Sequence, residues 1–219
     1  IEIIVFPMFP HYASASTGSA IEKAMRIMSK WWVIPEISII SQFWDDEGFI
    51  NSFVERAKQY DIDAYDHVLF SYHGLPERHV NKVYEDGVPC KDHNCETDLT
   101  EDNKFCYKAT CFATTRLLAE KLNIPEEKYT VAFQSRLDKK WLEPFSDKVI
   151  EERAAKGDKR ILAFSPAFVA DCLETIIEIG YEYKEEFLEK GGEALDLVPS
   201  LNDKKEWIRG LTELIRTHS

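Results

Sequence analysis

Positive charge is scarce in this chain: 27 lysines and arginines stand against 39 aspartates and glutamates, a formal net charge of −12 over 219 residues. A surface of that sign repels phosphate backbones and offers no basic stripe, which excludes nucleic acid and leaves cations or other proteins as partners. Long apolar runs are also missing. None approaches the roughly 20 residues of a membrane span, and no basic-then-apolar leader is present, so any membrane contact is peripheral. Five cysteines without a secretory signal predict a reducing, cytoplasmic compartment. No internal repeat is found. The first residue is Ile1 rather than methionine, and IEIIVF reads as a strand already inside a fold, so an N-terminal portion is expected ahead of it. What is present is a 44% hydrophobic composition, enough to fill the core of one large domain or of one domain with an appendage.

Short apolar strands alternate with helical patterns. Strands are read at Glu2–Phe6, Ile37–Phe43, His67–Tyr72, Tyr129–Gln134, Arg160–Phe164 and Leu195–Pro199, and helices at about 18–31, 48–60, 108–122, 143–156, 171–189 and 203–217. This order predicts an α/β fold, a doubly wound parallel sheet with helices on both faces, whose ligands sit beyond the carboxyl ends of the strands. The unusual residues fall at those ends: Pro7–Gly18, His73, Gln134–Trp141 and Pro166–Glu174. One long stretch without periodicity, roughly 78–106, is a candidate functional loop.

Three constellations carry chemistry. In LFSYHGLPE (69–77), Gly74 and Pro76 stop a strand and present His73 at its edge, where imidazole can take a proton or bind a metal near neutrality. His11 lies on the same rim. Asp171, Glu174, Glu178 and Glu182 are spaced three, four and four, one face of a helix, near an N-terminus whose dipole favours anions. Like charges at that spacing cost roughly 0.2–0.5 kcal/mol per pair, so the pattern is either a solvated acidic face or a place for hard cations. Cys90, Cys95, Cys106 and Cys111 read C-x4-C-x10-C-x4-C, a complete ligand set for zinc or for an iron–sulfur cluster, with spacing that fits both. Cys172 stands apart, a small hydrophobe beside the acidic helix.

The segments FPMFPHYASASTGSA (6–20), LFSYHGLPERH (69–79), CFATTRLLAEKL (111–122), AFQSR and WLEPFSD (132–147) and SPAFVADCLETIIEIGYEY (165–183), with VPSLND near the end, together resemble ferrochelatase, which inserts ferrous iron into a porphyrin to make heme. The resemblance implies a flavodoxin-like, chelatase-like lobe in which His73 and Glu174 face each other across a porphyrin cleft. Asp171, Glu178 and Glu182 accompany them as a metal or proton path, and Tyr12, Ser71, Pro76, Gln134, Ser135 and Trp141 bind substrate. Two pyrrole protons must leave as the dication enters, which calls for bases and for oxygen or imidazole ligands. The substrates implied are protoporphyrin IX and ferrous iron. The resemblance also implies that residues 1–199 are the enzyme's second lobe, with a cysteine-rich insertion at about 78–111, and that 200–219 hold a helix that packs on a first lobe absent from this chain. A fragment without that lobe is expected to be inactive.

Three departures from the family pattern stand out. The segment after QSR is one residue short and lacks glycine, Ser14 replaces the cluster cysteine of animal members, and the chain ends at Ser219 without their cysteine-bearing tail. A bacterial subset holds a 2Fe-2S cluster on four cysteines after the histidine turn, which implies Cys90, Cys95, Cys106 and Cys111 as its ligands here, with zinc as the alternative. Two other readings compete: a chelatase for another tetrapyrrole or metal, and a noncatalytic iron–sulfur or zinc module on a flavodoxin-like scaffold. His73 and Glu174 opening into one cleft favours the enzyme, and pointing apart favours the module.

Overall fold

The computed structural model describes residues 2–218; the expectations attached to Ile1 and Ser219 lie outside the described residues. The alternation of strands and helices is observed as β1 (Glu2–Val5), α1 (Ser19–Met28), β2 (Glu36–Ile39), α2 (Glu47–Ala57), β3 (His67–His73), α3 (Glu77–Val80), α4 (Tyr107–Leu122), β4 (Tyr129–Gln134), α5 (Ser146–Lys156), β5 (Arg160–Phe164), a π-helix (Glu174–Tyr183) running into α6 (Lys184–Glu189), β6 (Ala194–Leu197) and α7 (Lys205–Arg216). All strand pairings are parallel. The single sheet expected is divided in two: β1 pairs with β2, and the other strands run in the order β4-β3-β5-β6. Both edges of β3 are taken by β4 and β5, so the β1–β2 ribbon has no place beside it. β2 also ends earlier than Phe43, because after Ile39 the chain turns so that Phe43 N–H donates to Pro10 O (2.9 Å) and the Phe43 ring packs on Phe6 and Phe49.

Period-two alternation explains why the larger sheet is covered on both sides. Val68, Phe70 and Tyr72 of β3, Val131 and Phe133 of β4 and Leu162 and Phe164 of β5 share one buried cluster with Phe49, Phe53 and Leu118 of α2 and α4. The intervening residues Leu69, Ala132, Ile161 and Ala163 join a second cluster with Val149 and Ile150 of α5, Ile179 of the π-helix and Phe187 of α6. Ser71 and Gln134 belong by parity to this second face, and His73 continues it off the end of β3. Strand parity therefore aims the histidine at the side where the π-helix begins.

The C-terminal helix packs on α2. Trp207 of α7 is buried and stacks on Phe43 at 6.0 Å, and Leu214 is buried on the same face. The two helices touch backbone to backbone at Gly48 and Gly210: a Cβ built on Gly48 would lie 2.5 Å from Gly210 Cα. Gly48→Ala must push α7 away, at a cost of about 1–3 kcal/mol. The check is urea unfolding, in which the midpoint should fall with the m-value unchanged.

Candidate active site and cysteine cluster

His73 ends β3 opposite Gln134, the last residue of β4. The next residue must be glycine, because a Cβ on Gly74 would sit 2.8 Å from Gln134 O and 3.2 Å from Trp141 Cε3; Gly74 N–H donates to that same carbonyl at 2.8 Å. His73 Nδ1 lies 2.6 Å from Gly74 O. A carbonyl only accepts, so Nδ1 carries a proton, and Nε2 is the ring nitrogen available to bind metal or to take a proton. The ring is flanked by Trp141 and Phe168 at 6.4 and 6.3 Å.

Gln134 fixes the partner across the site. Its Oε1 accepts from Ser71 Oγ (2.8 Å), and its Nε2 donates to Glu174 O (2.7 Å) and to Glu178 Oε2 (3.0 Å). The first residue of the π-helix is thus pinned to the strand neighbour of His73. His73 and Glu174 line one cavity of about 430 Å³, whose other walls include Phe9, Leu75, Phe168 and Val169. Glu174 is half-buried. Its own backbone N–H, the Cys172 thiol and then His73 hold its carboxyl below the usual carboxylate value, so it is ionised at neutral pH. Of the four strand-end segments expected to converge, the loop after β1, His73 and the loop after β5 meet around this cavity, while 134–141 contributes Trp141 beside the His73 ring without lining it.

The remaining acidic residues do other work. Asp171 precedes the helix instead of joining its face, because it is tied to the loop after β6: its carboxylate accepts from Ser200 N–H (3.0 Å) and Asn202 Nδ2 (2.7 Å). Burial pushes the Asp171 carboxyl up, but these hydrogen bonds outweigh it and leave the group below its ordinary value. Glu178 accepts from Ser135 N–H and Tyr183 OH, both at 2.8 Å, as well as from Gln134. Ser135, a non-glycine residue at φ +60°, is held in that sparsely populated conformation by Glu178. Glu182 is exposed. Of the residues assigned to substrate, Trp141 flanks His73 and bridges to Pro76; Tyr12 lines an adjoining cavity of about 680 Å³. Ser71, Gln134 and Ser135 lie behind the cleft in the hydrogen-bond network. His11, Tyr107 and Cys172 also line the His73 cavity. His11 shares a rim loop with Tyr12, a positional signal in the sequence, whereas nothing local marks Tyr107 beyond its following a cysteine.

The cysteine set divides. Cys90, Cys95 and Cys106 converge, all buried, with Sγ–Sγ distances of 3.6, 3.6 and 3.9 Å. Ligation by sulfur at about 2.3 Å in a tetrahedron requires sulfurs about 3.8 Å apart, so the three fit one face of a metal site. Tyr84 OH lies 2.7 Å from Cys95 Sγ. Hydrogen bonds from Cys90 and Cys95 hold the Cys106 thiol down at about 3, and the Cys106 contact in turn pushes Cys90 up. Cys111, expected as the fourth ligand, is not in the group. Cys106 caps α4 with extended backbone, whereas Cys111 lies fully buried inside the helix, where burial pushes its thiol up.

Compared with known proteins, the chain matches the ferrochelatase family model over residues 1–219. It is similar to the ferrochelatase of Legionella pneumophila (strain Lens), with 42% identity over 214 residues covering 97% of this chain and 63% of the relative. The ferrochelatases of Pseudomonas fluorescens (strain SBW25) and Ectopseudomonas mendocina are 41% and 39% identical over 215 residues, with the same coverage. The chain therefore spans 63% of the length of these curated relatives. Among the described residues, no helix is long and apolar enough to cross a membrane.

Two buried histidines make stability depend on pH. Burial lowers His11 to about 3 and His67 to about 4, from an ordinary value of 6.5. Thr114 Oγ1 spends its proton on Trp44 O (3.0 Å), so it accepts from His11 Nε2–H (2.9 Å), and Nδ1 is buried without a partner. The unfolded chain binds these protons first, so the stabilisation is complete above about pH 6.5 and drains away as the pH falls toward the folded values. For His11 the loss at pH 5 is about 2 kcal/mol. Denaturant unfolding at pH 7 and pH 5 checks it: His11→Gln should show a visibly smaller drop than the parent.

Proposed function

The chain belongs to the ferrochelatase family, and from that membership we propose that the protein inserts ferrous iron into protoporphyrin IX, giving heme and two protons. The observation that carries the proposal is the shared cavity of His73 and Glu174, with Nδ1 of the imidazole committed to Gly74 O so that Nε2 is the nitrogen available for chemistry. A free-base porphyrin offers two N–H groups and two lone pairs. The incoming dication must shed water while the two protons depart, and an imidazole beside an ionised carboxylate can share those tasks. Glu174 lowers the cost of bringing a cation into an apolar cleft, and His73 accepts a proton or ligates first. Ser71, Gln134 and Ser135 act as positioning residues, through Glu174 and Glu178. Phe9, Leu75, Phe168 and Val169 offer the flat macrocycle an apolar wall.

Met8 and Phe9 of that wall are 37% and 43% exposed, which supports a two-lobed reading: residues 1–199 as the second lobe, and an opposing lobe of the ferrochelatase fold covering the cleft. Residues 200–219 would contact the same lobe through the side of α7 turned away from α2.

The cysteine triad supports a resident metal held by Cys90, Cys95 and Cys106. We read it as a 2Fe-2S cluster completed by Cys111, which would require that side chain to swing toward the triad. The sulfur spacing favours zinc as the second reading, since it suits a single tetrahedral ion. When bound, the group crosslinks the 78–111 loop.

In the full-length protein, His73→Ala should lower iron insertion by at least about 100-fold while leaving the circular dichroism spectrum unchanged; retained insertion removes His73 from the chemistry. For the loop, anaerobically purified protein should contain iron and acid-labile sulfide with visible absorption, lost in Cys106→Ser. Stoichiometric zinc without sulfide selects the second reading.

A further inference from the structure

We propose that Tyr107 is a positioning residue that ties the metal state of the cysteine loop to the placement of His73; this rests on the reading of His73 and the triad given above. His73 is the last residue of β3, where the sheet ladder ends, and its carbonyl needs a partner from elsewhere. Tyr107 supplies it: its hydroxyl donates to His73 O at 2.9 Å. The Tyr107 side chain is buried and has little freedom, with its ring edge-on to His11 at 5.8 Å, and it borders both the His73 cavity and the adjoining one.

Its neighbour in the chain is Cys106, a member of the sulfur triad and the residue on which α4 starts. Cys106 O accepts from Thr110 N–H (3.0 Å) and Thr110 Oγ1 (3.1 Å), so the first turn of the helix moves with it. A second tie runs in parallel. Cys90 N–H donates to Asn81 Oδ1 at 2.9 Å, and Asn81 closes α3, the short helix that follows the histidine turn. A metal that draws the three sulfurs together therefore holds both ends of the turn bearing His73, and its loss slackens them.

The test is amide exchange in the peptide carrying residues 73–76 of the full-length protein, metal-loaded and after anaerobic chelation. The Gly74 N–H bonded to Gln134 O is the reporter. Loss of one hydrogen bond corresponds to about a fivefold change, so chelation of the parent should accelerate exchange by about fivefold. In Tyr107→Phe the loaded protein should already exchange faster than the loaded parent, and chelation should accelerate it clearly less than it does the parent, through the Cys90–Asn81 tie alone. Its kcat for iron insertion should drop by about fivefold with KM for porphyrin nearly unchanged. Parent protein whose exchange ignores metal removal overturns the proposal, as does a Tyr107→Phe protein that responds like the parent. If Tyr107→Phe fails to fold, Tyr107→Leu, which also lacks the hydroxyl, takes its place in the same exchange measurement. The exchange readout does not involve turnover, so it separates failure of this coupling from failure of the chelatase reading, which His73→Ala tests.

Discussion

The arrangement depends on one buried amide. Gln134 is 1% exposed, and each end of its side chain is committed: Oε1 to the Ser71 hydroxyl, Nε2 to the Glu174 carbonyl and the Glu178 carboxylate. Because its backbone is the register partner of His73, these contacts set how far the π-helix stands from the histidine. The amide has no equivalent alternative orientation, since a flip would put oxygen against oxygen at Glu174 and Glu178. An apolar residue of similar size would fill the volume but strip the Glu174 carbonyl of its side-chain donor, while Glu178 would keep Ser135 and Tyr183 and the Ser71 hydroxyl would keep Ser146, so the loss falls on the contact that holds the start of the π-helix. Two groups about a hundred residues apart in sequence thus share a cavity because of a single side chain between them.

Much of this was legible in the sequence where local signals and tertiary demands agree. β4 and β5 fall at the expected residues because helices cover both faces of the sheet they belong to and each apolar run has sharp ends. The glycine-proline stop after His73 was readable for the same reason: Gly74 is required by an approach of backbone to backbone that no other residue allows. What was not legible is nonlocal. Nothing in the pattern of β1 and β2 says that they pair with each other and not with β3. The segment 174–183 reads as helix in either winding, because three-and-four spacing keeps residues on one face whether the hydrogen bonds run to i+4 or i+5. The π form places its first carbonyl under Gln134, a contact between distant parts of the chain. Asp171 was counted with the stripe on spacing alone, while Ser200 and Asn202, about thirty residues on, claim its oxygens. The even C-x4-C spacing likewise hides that Cys111 lies inside α4 whereas Cys106 caps it.

The π-helix also makes sense of an acidic surface that would otherwise be a mild liability. Glu178 is saturated by neutral donors, Asp171 anchors a loop, and Glu182 is solvated. That leaves Glu174 as the single carboxylate lining the His73 cavity among the described residues. The others lower the local potential without presenting oxygens to the cleft, so a cation is attracted from a distance and finds few ligands on arrival. Long-range attraction of this kind raises encounter rates and weakens with ionic strength.

Two donor sets of opposite character then lie near the histidine turn. One imidazole nitrogen and one carboxylate are a sparse, open donor pair; they leave most coordination positions to water or to another ligand, and hard or borderline dications exchange readily from such sites. Three buried sulfurs within 3.9 Å of one another are a compact soft donor set, compatible with a thiophilic ion. A metal that must be handed on belongs at the first kind of site, and a metal that must stay belongs at the second. The sulfurs sit on the loop that follows the histidine turn, whereas the open pair joins the end of β3 to the start of the π-helix, so the two donor sets are separate and differ in the ions they suit.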